Sequence, residues 1–286
     1  MKKIYDCFTF YNELDLLELR LEEHYNYVDY FVIAEANKTH QGRDKIYYLE
    51  ENWDRYAKYH DKIIHIKVDD MPTHDNAWVL ENYQRNALAK GYENADDNDI
   101  IVISDLDEVM RAETFELMRE DNQHTVFICR CPLFYFKVNY IMVKPKSYWV
   151  NGMAMPKKFM TSPQDLRNLT HWASSQPEDL VTDKVMTIQH AGWHFTYLGN
   201  TDHAKNKIVN FAHQESNHLA DTMDVEEFMK LKKGIDPNNP NESFDFVTLD
   251  DYFPETIINN LERWKDYIAS GEGVDIKNFV PNWETA

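Results

Sequence analysis

Three acids, Asp105, Asp107 and Glu108, stand directly behind the apolar run Ile100-Ile101-Val102-Ile103. A β-branched run that stops at charge reads as a buried strand delivering acids to the carboxyl edge of a sheet, where open α/β sheets hold ligands. Asp105 and Asp107, one residue apart, offer two hard oxygen donors on one side, which suits Mn²⁺ or Mg²⁺ bridging a diphosphate. A calcium loop is excluded, because it needs a third ligand at 109 and a glycine at 110, where Val109 and Met110 stand. Two other readings fit the same residues. The acids can cap a helix over the following segment, Arg111-Ala112-Glu113-Thr114-Phe115-Glu116-Leu117-Met118. "DLDEV" also satisfies the D-x-D-x-[TV] signature of haloacid-dehalogenase-type phosphohydrolases, with Asp105 as nucleophile, Asp107 as acid/base and Asp250-Asp251 as later metal-site acids. That signature normally opens a chain, whereas here a long organised stretch precedes it.

The elements that would position the acids alternate. IYDCFTF (4 to 10) reads as a strand, followed by a helix that Asn12 caps with Asp15 and whose Leu14, Leu17 and Leu21 share one face to about His24. Further strands are YFVIAEA (30 to 36), ending in Glu35, KIIHIKV (62 to 68) and DIIVIS (99 to 104), with a helix over 78 to 92. This alternation predicts a largely parallel sheet in residues 1–110. Residues 111–286 read differently: an aromatic strand-like stretch (125 to 143) interrupted by Pro132, a Pro/Asn-rich loop (236 to 243) and a final helix over about 254 to 269. With no repeat and no sharp composition break, one domain over 1–286 is expected, with a nucleotide-sugar-binding half (1–110) and an acceptor-binding half (111–286).

Forty-nine acidic against 30 basic residues give a formal charge of −19, which excludes sequence-independent binding to nucleic acid or to an anionic membrane. Among the eight glycines no GxGxxG or GxxxxGK[ST] pattern occurs, so a phosphate ligand would need a metal or placed cations. The first residues carry charge before any long apolar stretch, so no signal peptide or transmembrane segment is expected and the chain reads as cytoplasmic. Three cysteines make no disulfide framework, and Cys129 and Cys131 are expected to be half-buried thiols on one strand face.

Four stretches in order, FTFYNELDLLELRLEEHYNYVDYFVIAEANKTHQG (8 to 42), WVLENYQR (78 to 85), DDNDIIVISDLDEV (96 to 109) and HAGWHFTYLG (190 to 199), resemble glycosyltransferase family 17, the group of the β-1,4-mannosyl-glycoprotein N-acetylglucosaminyltransferases. The C-terminal YFPETIINNLERW (252 to 264) extends the resemblance. It implies a GT-A fold, a Rossmann-like, mostly parallel central sheet flanked by helices. It also implies a UDP-GlcNAc-type donor, a divalent cation and inversion at the anomeric carbon. Carried over, Asn12, Glu13, Glu35, Arg85, Asp105 and Lys207 become nucleotide-sugar-binding residues, with Lys205 a further cation near the diphosphate. Asp107 becomes a direct metal ligand, Asp105 a ribose contact or a ligand through water, and His194 the imidazole completing the metal shell.

Inversion needs a base for the acceptor hydroxyl. Glu108 and Glu215 are the candidates, followed by Asp165. Where the family usually has Ile-Pro after its acids this chain has Val109-Met110, which leaves the loop shape open. The animal members' Golgi anchor is missing, so the expected acceptor is a bacterial or viral surface glycan or a lipid-linked saccharide, made in a bacterium or a virus-infected cell. Phe134, Tyr135 and Phe136 are sheet core or a sugar-stacking surface. A catalytically inactive sugar-binding relative is the remaining alternative.

Overall fold

The computed structural model describes residues 1–145 and 148–280. The last six residues of the expected acceptor half lie outside them. Strand β1 (Ile4–Phe10) alternates its side chains between two apolar layers: Ile4, Phe8 and Phe10 pack in one, Tyr5 and Cys7 in the other. It pairs in parallel with β2 (Tyr30–Ala36) on one side and β4 (Ile100–Ile103) on the other, and β2 pairs in parallel with β3 (Ile63–Val68). Strands β1, β2 and β4 are buried on both faces, as their near-continuous apolar runs require, whereas edge strand β3 is only half-buried. The carboxyl ends of β1 and β4 therefore open at one edge.

Helix α1 (Leu14–His24) buries Leu16, Leu17, Leu19 and Leu21. It starts later than the expected Asn12 cap: Glu13 holds the cap position without a side-chain bond, and the Asn12 side chain donates to Asn206 instead. Short helix α2 (Tyr48–Glu51) follows β2, and α3 (Ala77–Ala87), capped by Asn76, continues as a tighter turn through Gly91. The acids do not cap the helix after them, because short strand β5 (Glu108–Met110) intervenes before α4 (Ala112–Glu120), whose cap position is Arg111.

The second half is mixed. Strand β6 (Val126–Tyr135) runs through Pro132, and β7 (Tyr140–Lys144) is separate from it. Strand β8 (Tyr148–Pro156) joins the halves by pairing antiparallel with both β4 and β6. After α5 (Pro163–Ser174) come β9 (Val185–Ile188) and β10 (Gly192–Thr196), both parallel to β6, then α6 (Thr201–Asn210), α7 (Val225–Lys230) and β11 (Ser243–Phe246) on β7. The resulting curled sheet runs β11-β7-β6-β8-β4-β1-β2-β3 and is flanked by helices. The final helix is broken into α8 (Glu255–Ile258), α9 (Leu261–Trp264) and a tight turn (Lys265–Tyr267), because Asn260 takes an extended φ of −139°.

Cys129 and Cys131 share a face as expected but are fully buried. Phe134 and Phe136 are core, which removes them as a sugar-stacking surface, while Tyr135 is partly buried against Tyr197.

Candidate functional site

The acid loop is held from below. Arg20, fully buried on α1, makes a two-pronged contact with Asp6 of β1, at 2.5 and 3.0 Å. It also donates to the carbonyl oxygens of Asp105 (2.6 Å), Leu106 (3.2 Å) and Glu108 (3.1 Å). His24, one turn on, faces Asp6 through Nδ1 at 2.8 Å and Met110's backbone nitrogen through Nε2 at 3.0 Å. Burial alone would raise the Asp6 carboxyl, but Arg20 and His24 hold it well below the usual carboxylate range. The Met110 N–H used here is one that a proline could not supply, so Val109-Met110 forms a true strand in place of the family's Ile-Pro.

Strand β10 brings the second half to the acids. It pairs antiparallel with β5, setting His194 opposite Glu108, Trp193 opposite Val109 and Gly192 opposite Met110. Gly192 is required by proximity: a Cβ there would meet the Val109 carbonyl oxygen at 2.0 Å and the Met110 Cα at 2.6 Å. His194 Nε2 then lies 3.5 Å from Asp107 Oδ1.

Each acid already faces cations. Asp107 Oδ2 accepts from Lys207 Nζ of α6 at 2.6 Å, and Lys207 also stands 3.6 Å from Glu13. Asp105 accepts from Arg85 at 3.2 Å and from Arg167 of α5 at 2.6 Å. Against the upward push of burial, Lys207 and His194 hold Asp107 low, and Arg167 and Arg85 hold Asp105 low. Burial pulls down on His194 and Lys207, yet Asp107 raises both.

Glu13, Arg85, Asp105, Asp107 and Lys207 line a cleft of about 50 Å³, whereas His194 and Arg167 touch the acids without lining it. Lys38, Lys45, Arg85 and Lys207 face Glu13, Glu81, Asp105 and Asp107 across it, so a chain of charge −19 presents here a wall with no net charge. His40 and Phe211, both lining the cleft, stand 6.1 Å apart between ring centroids, and next to them in the chain Gln41 donates to the Val209 carbonyl.

The other expected residues are placed differently. Glu35 is fully buried and lines neither the cleft nor the cavity beside it; its carboxylate accepts from Lys45 and from the backbone nitrogens of Tyr48 and Leu49 at the start of α2. Asn12 lines the adjoining cavity rather than the cleft. Glu108 is buried with its carboxylate committed to Arg167 (2.9 and 3.0 Å) and the Asp105 N–H. Glu215 is exposed and paired with His213, and neither it, Asp165 nor Lys205 lines the cleft. Asp250 and Asp251, the phosphohydrolase reading's metal acids, lie outside it as well.

Arg20 and Arg167 escape sequence reasoning. The one signal for Arg20 is a charge within a leucine-rich helix face, matched by the lone Asp6 in an apolar strand. Arg167 gives no signal.

Among the described residues no helix is long and apolar enough to cross a membrane, and no group of three or more His, Cys, Asp or Glu side chains gathers as a metal site. No curated protein matches the chain. Solved structures give a weak likeness: HddC from Yersinia pseudotuberculosis shares 8% identity over 67% of this chain and 92% of its own, with a TM-score of 0.39. The same protein complexed with GMP-PN shares 10% identity over 66% and 90%, with a TM-score of 0.38. The sequence family is decisive where these are not: the glycosyltransferase family 17 pattern matches residues 1–235. The chain therefore belongs to glycosyltransferase family 17.

Proposed function

We propose that the enzyme moves a sugar, GlcNAc by family resemblance, from its UDP conjugate to a hydroxyl of a glycan or lipid-linked saccharide, with inversion and with the help of Mn²⁺ or Mg²⁺. The observation that carries this reading is the cleft itself: two strand-end acids within hydrogen-bond reach of Arg85, Arg167 and Lys207, in a chain otherwise strongly negative. In this reading residues 1–110 form most of the donor side, and later segments join them on the acceptor side.

The donor set suits a hard divalent ion. Asp107 Oδ1 and His194 Nε2, 3.5 Å apart, have the spacing of two ligands on one ion, and Mg²⁺-type sites commonly take one or two protein carboxylates and fill the rest with water and substrate phosphate. When bound, the ion stabilises negative charge on the departing diphosphate. The protein's own residues do the rest. Lys207 and Arg85 meet the diphosphate charge as it develops, at fixed positions that need no rearrangement. Asp105, oriented by Arg85 and Arg167, presents a carboxylate oxygen to the ribose. Arg20 keeps the loop backbone from shifting during the reaction.

A thermal-shift panel of UDP, GDP, CDP and their sugars, each with Mn²⁺ and with EDTA, tests the reading, because ligands that bind only the native state raise its stability. A shift for UDP compounds that EDTA removes is the expected result; the absence of any nucleotide shift overturns it. Release of UDP from the sugar conjugate separates an active enzyme from an inactive sugar-binding relative.

A further inference from the structure

A second cavity, of about 210 Å³, adjoins the cleft and shares two lining residues with it, Glu13 and Lys207. We infer that this cavity holds the acceptor saccharide and that Glu13 is the base that deprotonates its hydroxyl; the inference rests on the donor assignment above.

The lining has the chemistry of a sugar site. Tyr197 and Tyr267 offer apolar ring faces with polar edges, and Asp15, Arg55, His203 and Asn206 offer donors and acceptors for hydroxyl groups. Tyr197 is held at a φ of +54°, a conformation non-glycine residues rarely adopt and one that clusters at ligand sites. Its ring lies 5.7 Å from Lys207 Nζ, which ties the strained residue to the junction between the cavities.

Elimination points to Glu13. Asp15 is tied to Arg55 and Tyr267, Glu81 to Arg85, Asp105 to two arginines, and Asp107 to Lys207 at 2.6 Å. Of the carboxylates lining either cavity, Glu13 is the one whose nearest cation stays at 3.6 Å and which borders both spaces. Its side chain keeps about 23% exposure, so it is accessible to a ligand as Glu108 is not.

The step balances as a single displacement. The acceptor oxygen forms a bond to the anomeric carbon while the bond from that carbon to the diphosphate oxygen breaks. The electron pair leaves with the nucleoside diphosphate, and the acceptor's hydroxyl proton passes to the Glu13 carboxylate. Lys207 stands between Glu13, at 3.6 Å, and Asp107, at 2.6 Å, where the two cavities meet.

Saturation-transfer NMR with methyl glycosides of glucose, galactose, mannose and N-acetylglucosamine, read without nucleotide, tests the cavity. At least one glycoside should give signal with the unaltered protein and lose it in His203→Trp, which fills the cavity from an exposed helix position. No signal from any glycoside, or signal that survives His203→Trp, overturns the cavity assignment. Glu13→Gln should keep the UDP thermal shift and the glycoside signal while transfer to the bound glycoside falls at least about 100-fold and its rate loses the acidic limb of the pH profile. Unchanged turnover, or a fall explained by lost UDP binding, overturns the base. If UDP itself gives no shift, the donor assignment fails, and the glycoside result still stands or falls separately.

Discussion

Arg20 Nη1 reaches the carbonyl oxygen of Asp105 at 2.6 Å from inside the fold, so the loop that carries the acids rests on a buried cation. The same guanidinium is neutralised by Asp6, which makes the support an ion pair with no solvent contact on either side. Removing one partner of such a pair leaves an uncompensated charge.

Arg20→Met should cost about 3–5 kcal/mol of stability. Adding Asp6→Asn should recover part of the loss, because the stranded carboxylate is then gone. Urea unfolding of the unaltered protein and the two variants checks this; a double variant no better than the single one would show that the carbonyl contacts, and not the ion pair, carry the energy.

Acid should unfold the protein through the same pair. The folded Asp6 carboxyl sits below its ordinary value of about 3.9, so its stabilisation is fully present above that value. It is lost progressively as pH falls from about 4 toward the folded value. The urea midpoint should therefore drop steeply below pH 4, and the drop should be shallower in Asp6→Asn.

Asp107→Asn should weaken metal-dependent UDP binding at least about tenfold, equivalent to 1.4 kcal/mol, and should also lower the apo melting temperature, because it leaves buried Lys207 without its carboxylate. His194→Ala should lower Mn²⁺ affinity by about tenfold. Calorimetric titration of Mn²⁺ and of UDP reads both, and wild-type affinities would remove these residues from the ligand set.

Donor binding should open the cleft mouth. Ligand pockets usually run to about 300–1,000 Å³, and this cleft, walled on one side by Asn210 and Phe211, has about 50 Å³. Hydrogen exchange around 209–213 should rise when UDP and Mn²⁺ bind. Unchanged exchange would mean that the nucleotide enters without moving α6.

Gly192→Ala should destabilise by about 3 kcal/mol, since its Cβ would press on the Val109 carbonyl of the paired strand. Loss of Mn²⁺ response together with lowered stability is the expected pattern, because the same pairing sets His194 beside Asp107.

How far the sequence could be read depended on distance along the chain. The strands from Ile4 to Ile103 announce themselves because burial on both faces writes continuous apolar runs, and the Asp105 and Asp107 pair is local to one of them. The family resemblance adds His194, whose approach depends on a strand pairing that no local pattern encodes. Lys207 is a cation candidate from the sequence, whereas Arg167 reads as an ordinary surface charge until the fold brings it to acids far away in the chain. Glu35 shows the opposite failure: its position at a strand end looks like a ligand contact, but the chain returns over it and uses it to start α2. Asn12 has the right type for a helix cap, and tertiary contact with Asn206 draws its side chain away.

The pairing of β5 with β10 also orders events during synthesis. Strand β5, which follows the acids, takes its ladder from β10. A nascent chain that has not yet emerged past Thr196 can fold the parallel strands of its first half but leaves β5 without its partner and Asp107 without His194 or Lys207. Assembly of the transfer site is therefore a late event on the ribosome, one that waits for a contact of long sequence separation to close.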